Sequence, residues 1–113
     1  MAPGKFIGLL FQSRDAMHLT HLQTTSYAEH KALGKYYDDI LDIIDSFTEK
    51  FFGRNGRVEI IIPEAKVQDA VSHLKGMQVL IEAERDNYAT DLQNILDEAI
   101  GAVNETLYLL TLV

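Results

Sequence analysis

The chain has no cysteine, no tryptophan and only two prolines in 113 residues. Without a thiol it can form no disulfide, no thiolate metal site and no cysteine nucleophile, so histidine and carboxylate side chains are the strongest ligands it offers. Proline at positions 3 and 63 alone leaves long stretches free of helix breakers. Positive charge is scarce as well: 10 Lys and Arg stand against 17 Asp and Glu, for a formal net charge of −7. Gripping phosphates or an anionic lipid surface needs clustered cations, and these are scattered, so neither nucleic acid nor membrane is expected as a partner. No apolar run approaches the ~20 residues of a bilayer span. The segment from Phe6 to Phe11 is too short for a signal-peptide core and is followed at once by Gln12 and Arg14. A cytoplasmic protein is the expectation.

What is present is apolar sequence with helical spacing. Hydrophobic residues make up 47% of the chain and no low-complexity segment interrupts them, which fits one compact domain over residues 1–113. Pro3 suits a first helical turn, and Ile7, Leu10, Phe11 and Met17 predict a helix over residues 5–24. Ser26 with Glu29 forms a capping-box pattern opening a second helix over 27–52. Its core stripe is Leu33, Tyr37, Ile40, Ile44, Phe47 and Phe51, and Gly53 is the expected C-terminal stop. The β-branched run Val58 to Ile62 has no partner strand and reads as an extended crossover. Ten such residues reach roughly 33 Å, enough to leave the second and third helices parallel.

The third helix is expected over 65–85, starting after Pro63 with Val67, Val71, Leu74 and Ile81 inward. The fourth is expected over 90–112, capped by Thr90 with Gln93 and separated by a break at Asp86-Asn87; one long helix from 65 to 112 is the alternative, since no Gly or Pro separates the two. Four helices with short first and last connections and one long middle one predict an all-α four-helix bundle of ferritin-like topology.

Four potential ligands stand out: His18, His30, Asp45 and Glu49, at successive offsets of twelve, fifteen and four residues. Imidazole nitrogen with carboxylate oxygen suits iron(II), manganese or zinc and leaves positions open for water or an oxidant. One chain cannot assemble the set, because His30 and Asp45 on one helix lie roughly 22 Å apart along its axis. Two chains meeting antiparallel can, with His18 and His30 of one subunit facing Asp45 and Glu49 of its two-fold mate. His21, one turn after His18, is an additional ligand or lies on an entry path, and His73 reads as structural. The competing reading makes the row Asp38, Asp42, Asp45 and Glu49 a solvated helix face and the histidines ordinary polar residues.

The pattern His18-x11-His30-x14-Asp45-x3-Glu49 resembles the ferroxidase motif of Dps proteins, mini-ferritins of the ferritin-like superfamily. Asp86-x3-Thr90-Asp91-Leu92 and Glu105-Thr106-Leu107-Tyr108-Leu109-Leu110 resemble the two ends of that family's last helix. The resemblance implies a homo-oligomer, a dimer at least and in that family a cage. It also implies that iron(II) is oxidised by peroxide or dioxygen at an inter-subunit site, with Glu49 as principal carboxylate and Asp45 as a weaker contact. Gly34 stands where that family carries Asp, and the family's basic N-terminal tail has no counterpart. A helical dimer serving as a binding or structural module, with a degenerate metal site or none, is the alternative.

Overall fold

A computed structural model describes residues 1–113. It contains four helices: α1 over Pro3–Gln23, α2 over Tyr27–Asn55, α3 over Ala70–Arg85 and α4 over Thr90–Leu110. They form an all-α bundle with principal extents of 43 × 24 × 20 Å. Helix α1 packs on α2 and more lightly on α3, while α4 packs on α2 and α3. The long connection, residues 56–69, lies between α2 and α3.

The connection runs along α1. Gly4 and Gly8 let it approach so closely that a Cβ on Gly4 would lie 1.9 Å from the Glu59 carbonyl oxygen. At Gly8 the corresponding distance to the Ile61 oxygen is 1.6 Å. Further up, Gln12 donates to the Glu64 carbonyl (2.9 Å), and the Gln68 amide donates to the Thr20 hydroxyl (3.1 Å). The link therefore climbs the length of α1 and delivers the chain to the far end of the bundle, so α2 and α3 point the same way. Its Val58, Ile60 and Ala65 pack against the core from outside.

Several boundaries differ from the sequence expectation, each for a local reason. Helix α2 continues through Gly53 to Asn55 and stops at Gly56, whose φ of 86° is the left-handed geometry that glycine tolerates best. Helix α3 starts at Ala70 instead of residue 65, because Asp69 caps it by accepting from the Ser72 amide and the preceding residues are engaged with α1. Val67 and Val71 consequently lie outside the core, 52% and 38% exposed. Thr90 is the first residue of α4, not its cap; Ala89 precedes it without a side-chain cap bond.

The expected break before α4 is present. It is held by Tyr88, which turns inward and packs on Phe6 (5.6 Å between ring centroids), Phe47 (5.1 Å) and Phe51 (5.9 Å). Burial pushes the Tyr88 phenol up to about 12, with the nearby Glu84 carboxylate adding to the shift. Tyr36, not Tyr37, is the fully buried tyrosine of α2, and it belongs to the same core cluster as Leu33 and Ile40.

Candidate metal half-site at the α1–α2 corner

Three histidines gather where α1 turns into α2. Ser26 caps α2 by accepting from the Glu29 amide (3.2 Å), and this brings the first turn of α2 alongside the last turn of α1. The His21 and His30 rings stack face to face, 3.7 Å between centroids and 16° from parallel. Each ring donates Nδ1–H to the other residue's backbone carbonyl: His30 to the His21 oxygen at 2.8 Å, and His21 to the His30 oxygen at 2.5 Å. A carbonyl can only accept, so Nδ1 carries the hydrogen in both rings. In the neutral ring the lone pair then sits on Nε2, the form in which protein imidazoles bind metal with a second partner behind them.

His18 lies one turn back on α1. Its ring is 6.0 Å from that of His21 and stacks on Tyr37 of α2 at 4.0 Å and 13°. The Arg14 guanidinium covers the Tyr37 ring at 5.3 Å, a cation–π contact. Both His18 and His30 are partly accessible. His21, His30, Lys31, Gly34, Lys35, Tyr37 and Asp38 line an open depression of about 480 Å³ at this corner.

Gly34 takes its meaning from His21. A Cβ at position 34 would lie 3.1 Å from His21 Cε1 and 3.3 Å from its Nδ1, so the imidazole fills the space that a side chain there would need. Sequence spacing placed His21 one turn from His18. It could not show that His21 crosses to α2 and clasps His30, because that contact depends on the angle at which the two helices meet.

Asp45 and Glu49 are placed elsewhere. Both are exposed on α2, an unbroken helix from Tyr27 to Asn55, and neither makes an ion pair in its own chain. Glu49 borders a shallow depression with Phe52, Gly53, Gly56 and Arg57. Within one chain no group of three or more His, Asp or Glu side chains is arranged to hold a metal ion. The structure thus brings His18 and His30 into one corner and leaves both carboxylates at the other end of α2. Along α2, Glu29, Lys31 and Lys35 lie in the first turns, Asp38, Asp39, Asp42, Asp45 and Glu49 form an acidic run through the middle, and Lys50 and Arg54 follow it. Lys35 bonds to Asp39 (2.6 Å) and pairs with Glu105 of α4 (3.3 Å), and these partners raise its pKa.

Comparison with known proteins places the sequence in a family. Residues 21–110 match DUF5856, a family of unknown function. The chain belongs to that family. The stretch matching DUF5856 opens at His21 and takes in His30, Asp45, Glu49 and all of α2, α3 and α4. The chain is also 29% identical over 112 residues to an uncharacterised 14.6 kDa protein from the mobD–ri intergenic region of enterobacteria phage T4. That similarity covers 96% of this chain and 87% of the phage protein. No solved structure matches this DUF5856 member. No helix is long and apolar enough to cross a membrane.

Proposed function

We propose that this protein binds iron(II) between two copies of itself and oxidises it with peroxide or dioxygen, as a Dps-like member of the ferritin-like superfamily. The observation that carries the reading is the corner itself. His30 is held through Nδ1 with Nε2 left for a ligand, and His18, on the other side of His21, is fixed by stacking on Tyr37. Asp45 and Glu49 are exposed and unpaired on the same helix. When two α2 helices lie antiparallel about a two-fold axis, the histidine end of each meets the acidic end of the other, giving two equivalent sites. The lengthwise link, with α2 and α3 parallel, is also the connectivity of ferritin-like bundles.

In this reading iron(II) is the substrate. His18 and His30 bind it through nitrogen, Glu49 neutralises charge as the metal becomes iron(III), and Asp45 makes a weaker contact or holds a bound water. Each iron gives up one electron and a peroxide accepts two, so two ions are consumed per peroxide reduced to water. Manganese and zinc fit the same donors. The carboxylates of α2 raise the local cation concentration.

The test is peroxide-driven oxidation of iron(II) by metal-stripped protein, compared with Glu49→Ala and His30→Ala. Glu49 bonds to nothing in its own chain, so its replacement acts on the site and not on the fold. Loss of activity in both variants, with a wild-type dimer by sedimentation, is the expected result; equal rates in all three proteins remove the proposal. A second reading has its own support. The reciprocal His21–His30 bonds tie α1 to α2 without any metal, as the corner of a helical binding or structural module requires. It predicts no stoichiometric metal and no change in melting temperature on adding iron(II), manganese or zinc.

A further inference from the structure

On the far side of α1 from the link's first residues, a second polar system runs through the core. Tyr36 of α2 and Ser13 of α1 are 1% and 0% exposed, and their hydroxyl oxygens lie 2.8 Å apart. Ser13 Oγ is in turn 2.8 Å from Nε2 of His73 on α3, and His73 Nδ1 is 3.2 Å from Gln68 Oε1 at the end of the link. The directions of these bonds are fixed from the outside inward. Gln68 Oε1 can only accept, so His73 Nδ1 carries a hydrogen and Nε2 accepts from Ser13. Ser13 has then spent its only hydrogen and accepts from Tyr36. In this state every donor in the chain has an acceptor.

We propose that His73 is a pH-sensitive latch that fastens α3 and the end of the link to α1 when neutral and releases them when protonated. Adding a proton to Nε2 reverses the chain of bonds. His73 must then donate to Ser13, only one of the Ser13 and Tyr36 hydrogens can lie between their two oxygens, and the other is left without a partner in the core. Tyr36 cannot relieve this by ionising, since burial pushes its phenol up to about 12 against the opposing Ser13 bond. The remaining escape is for α3 to move off α1 and let water reach the buried Ser13 and Tyr36 hydroxyls.

The packing makes that movement local. Helix α3 packs mainly on α4, has no close backbone approach to α2, and meets α1 along a short contact. The bonds across that seam are His73 to Ser13, the two between Thr20 and Gln68, and the ion pair of the Met1 amino group with Glu84 at the opposite end. No opposite charge compensates a protonated ring. Asp69, one turn back, accepts from the Ser72 amide; Arg14, beside Ser13, is engaged with Asp15 and the Tyr37 ring; Tyr36 is the titratable group facing the ring from α2. Loss of solvent alone holds the His73 pKa below its ordinary value. The sign follows. The unfolded or undocked chain binds the proton first, so the latch is fully closed above the ordinary histidine value of 6.5 and weakens as pH falls through it toward the lowered pKa.

Hydrogen exchange read by mass spectrometry tests this at about pH 7.5 and about pH 5.5, either side of the ordinary histidine pKa. Rates are corrected for the intrinsic pH dependence and compared between residues 66–78 and α4. The wild type should lose protection several-fold in the first segment relative to α4 on acidification. His73→Gln, which keeps an acceptor for Ser13 but cannot gain a proton, should lose that response. An NMR titration of His73 supplies an independent reading. In Ser13→Ala neither protonation state of the ring has a bond across the seam, protonation orphans no further donor, and the midpoint should rise. An unchanged midpoint in Ser13→Ala overturns the proposal, as does equal acid-induced exchange in wild type and His73→Gln.

Discussion

Replacing Gly8 by alanine tests whether the link is seated in α1 or only lies near it. The added Cβ would fall 1.6 Å from the Ile61 carbonyl oxygen and 2.5 Å from its carbon, and both neighbours are backbone, which cannot rotate aside. Restoring an ordinary contact of 3.4 Å requires the link to move away by about 1.8 Å. That displacement loosens Ile60 and Val58 from the core and strains the bond from the Ile61 amide to the Gly4 carbonyl (3.3 Å). Overpacking of this kind costs roughly 3 kcal/mol at the upper end of its usual range. Alanine in a helix interior returns about 1 kcal/mol relative to glycine. The net loss is thus about 2 kcal/mol, a fall in melting temperature of about 8 °C for a domain of this size.

Gly76 and Gly101 provide the internal control. Both lie inside helices with nothing within 4 Å of an added Cβ, so alanine at either should stabilise by about 1 kcal/mol. Thermal unfolding followed by circular dichroism reads all three variants on one scale. If Gly8→Ala melts at or above the wild type, the close passage of the link over α1 is wrong.

The corner and the core give two further expectations. Gly34→Ala places a methyl group 3.1 Å from His21 Cε1; the ring must shift, and the NMR signals of His21 and His30 should change together while α3 and α4 stay as they are. Ser26→Ala removes the acceptor for the Glu29 amide and should cost about 1 kcal/mol in denaturant unfolding, with an unchanged m-value.

Much of the fold is legible in the chain because it is written in local periods. Leu33, Ile40, Ile44, Phe47 and Phe51 recur at helical spacing and are buried as that spacing requires. The spacing puts Tyr37 on the same stripe, but one step around the helix separates it from Tyr36, and the latter takes the core position. The start of α3 departs from the sequence pattern for a related reason. Val67 continues an apolar helical pattern, but Thr20 on another element claims the Gln68 backbone, and a tertiary bond outweighs local propensity.

The candidate site divides along the same line. Helical arithmetic by itself puts His30 and Asp45 too far apart to share an ion, and hence makes any joint site a matter between chains. The composition alone excludes thiolate chemistry and leaves histidine and carboxylate as the ligands. Only the tertiary structure decided that His21 stacks on His30, that Gly34 is the space this ring occupies, and that His73 reaches Ser13 across 60 residues of sequence. The reason is physical: spacing along a helix fixes which face a side chain is on, whereas the partner it meets depends on how two helices are turned toward each other.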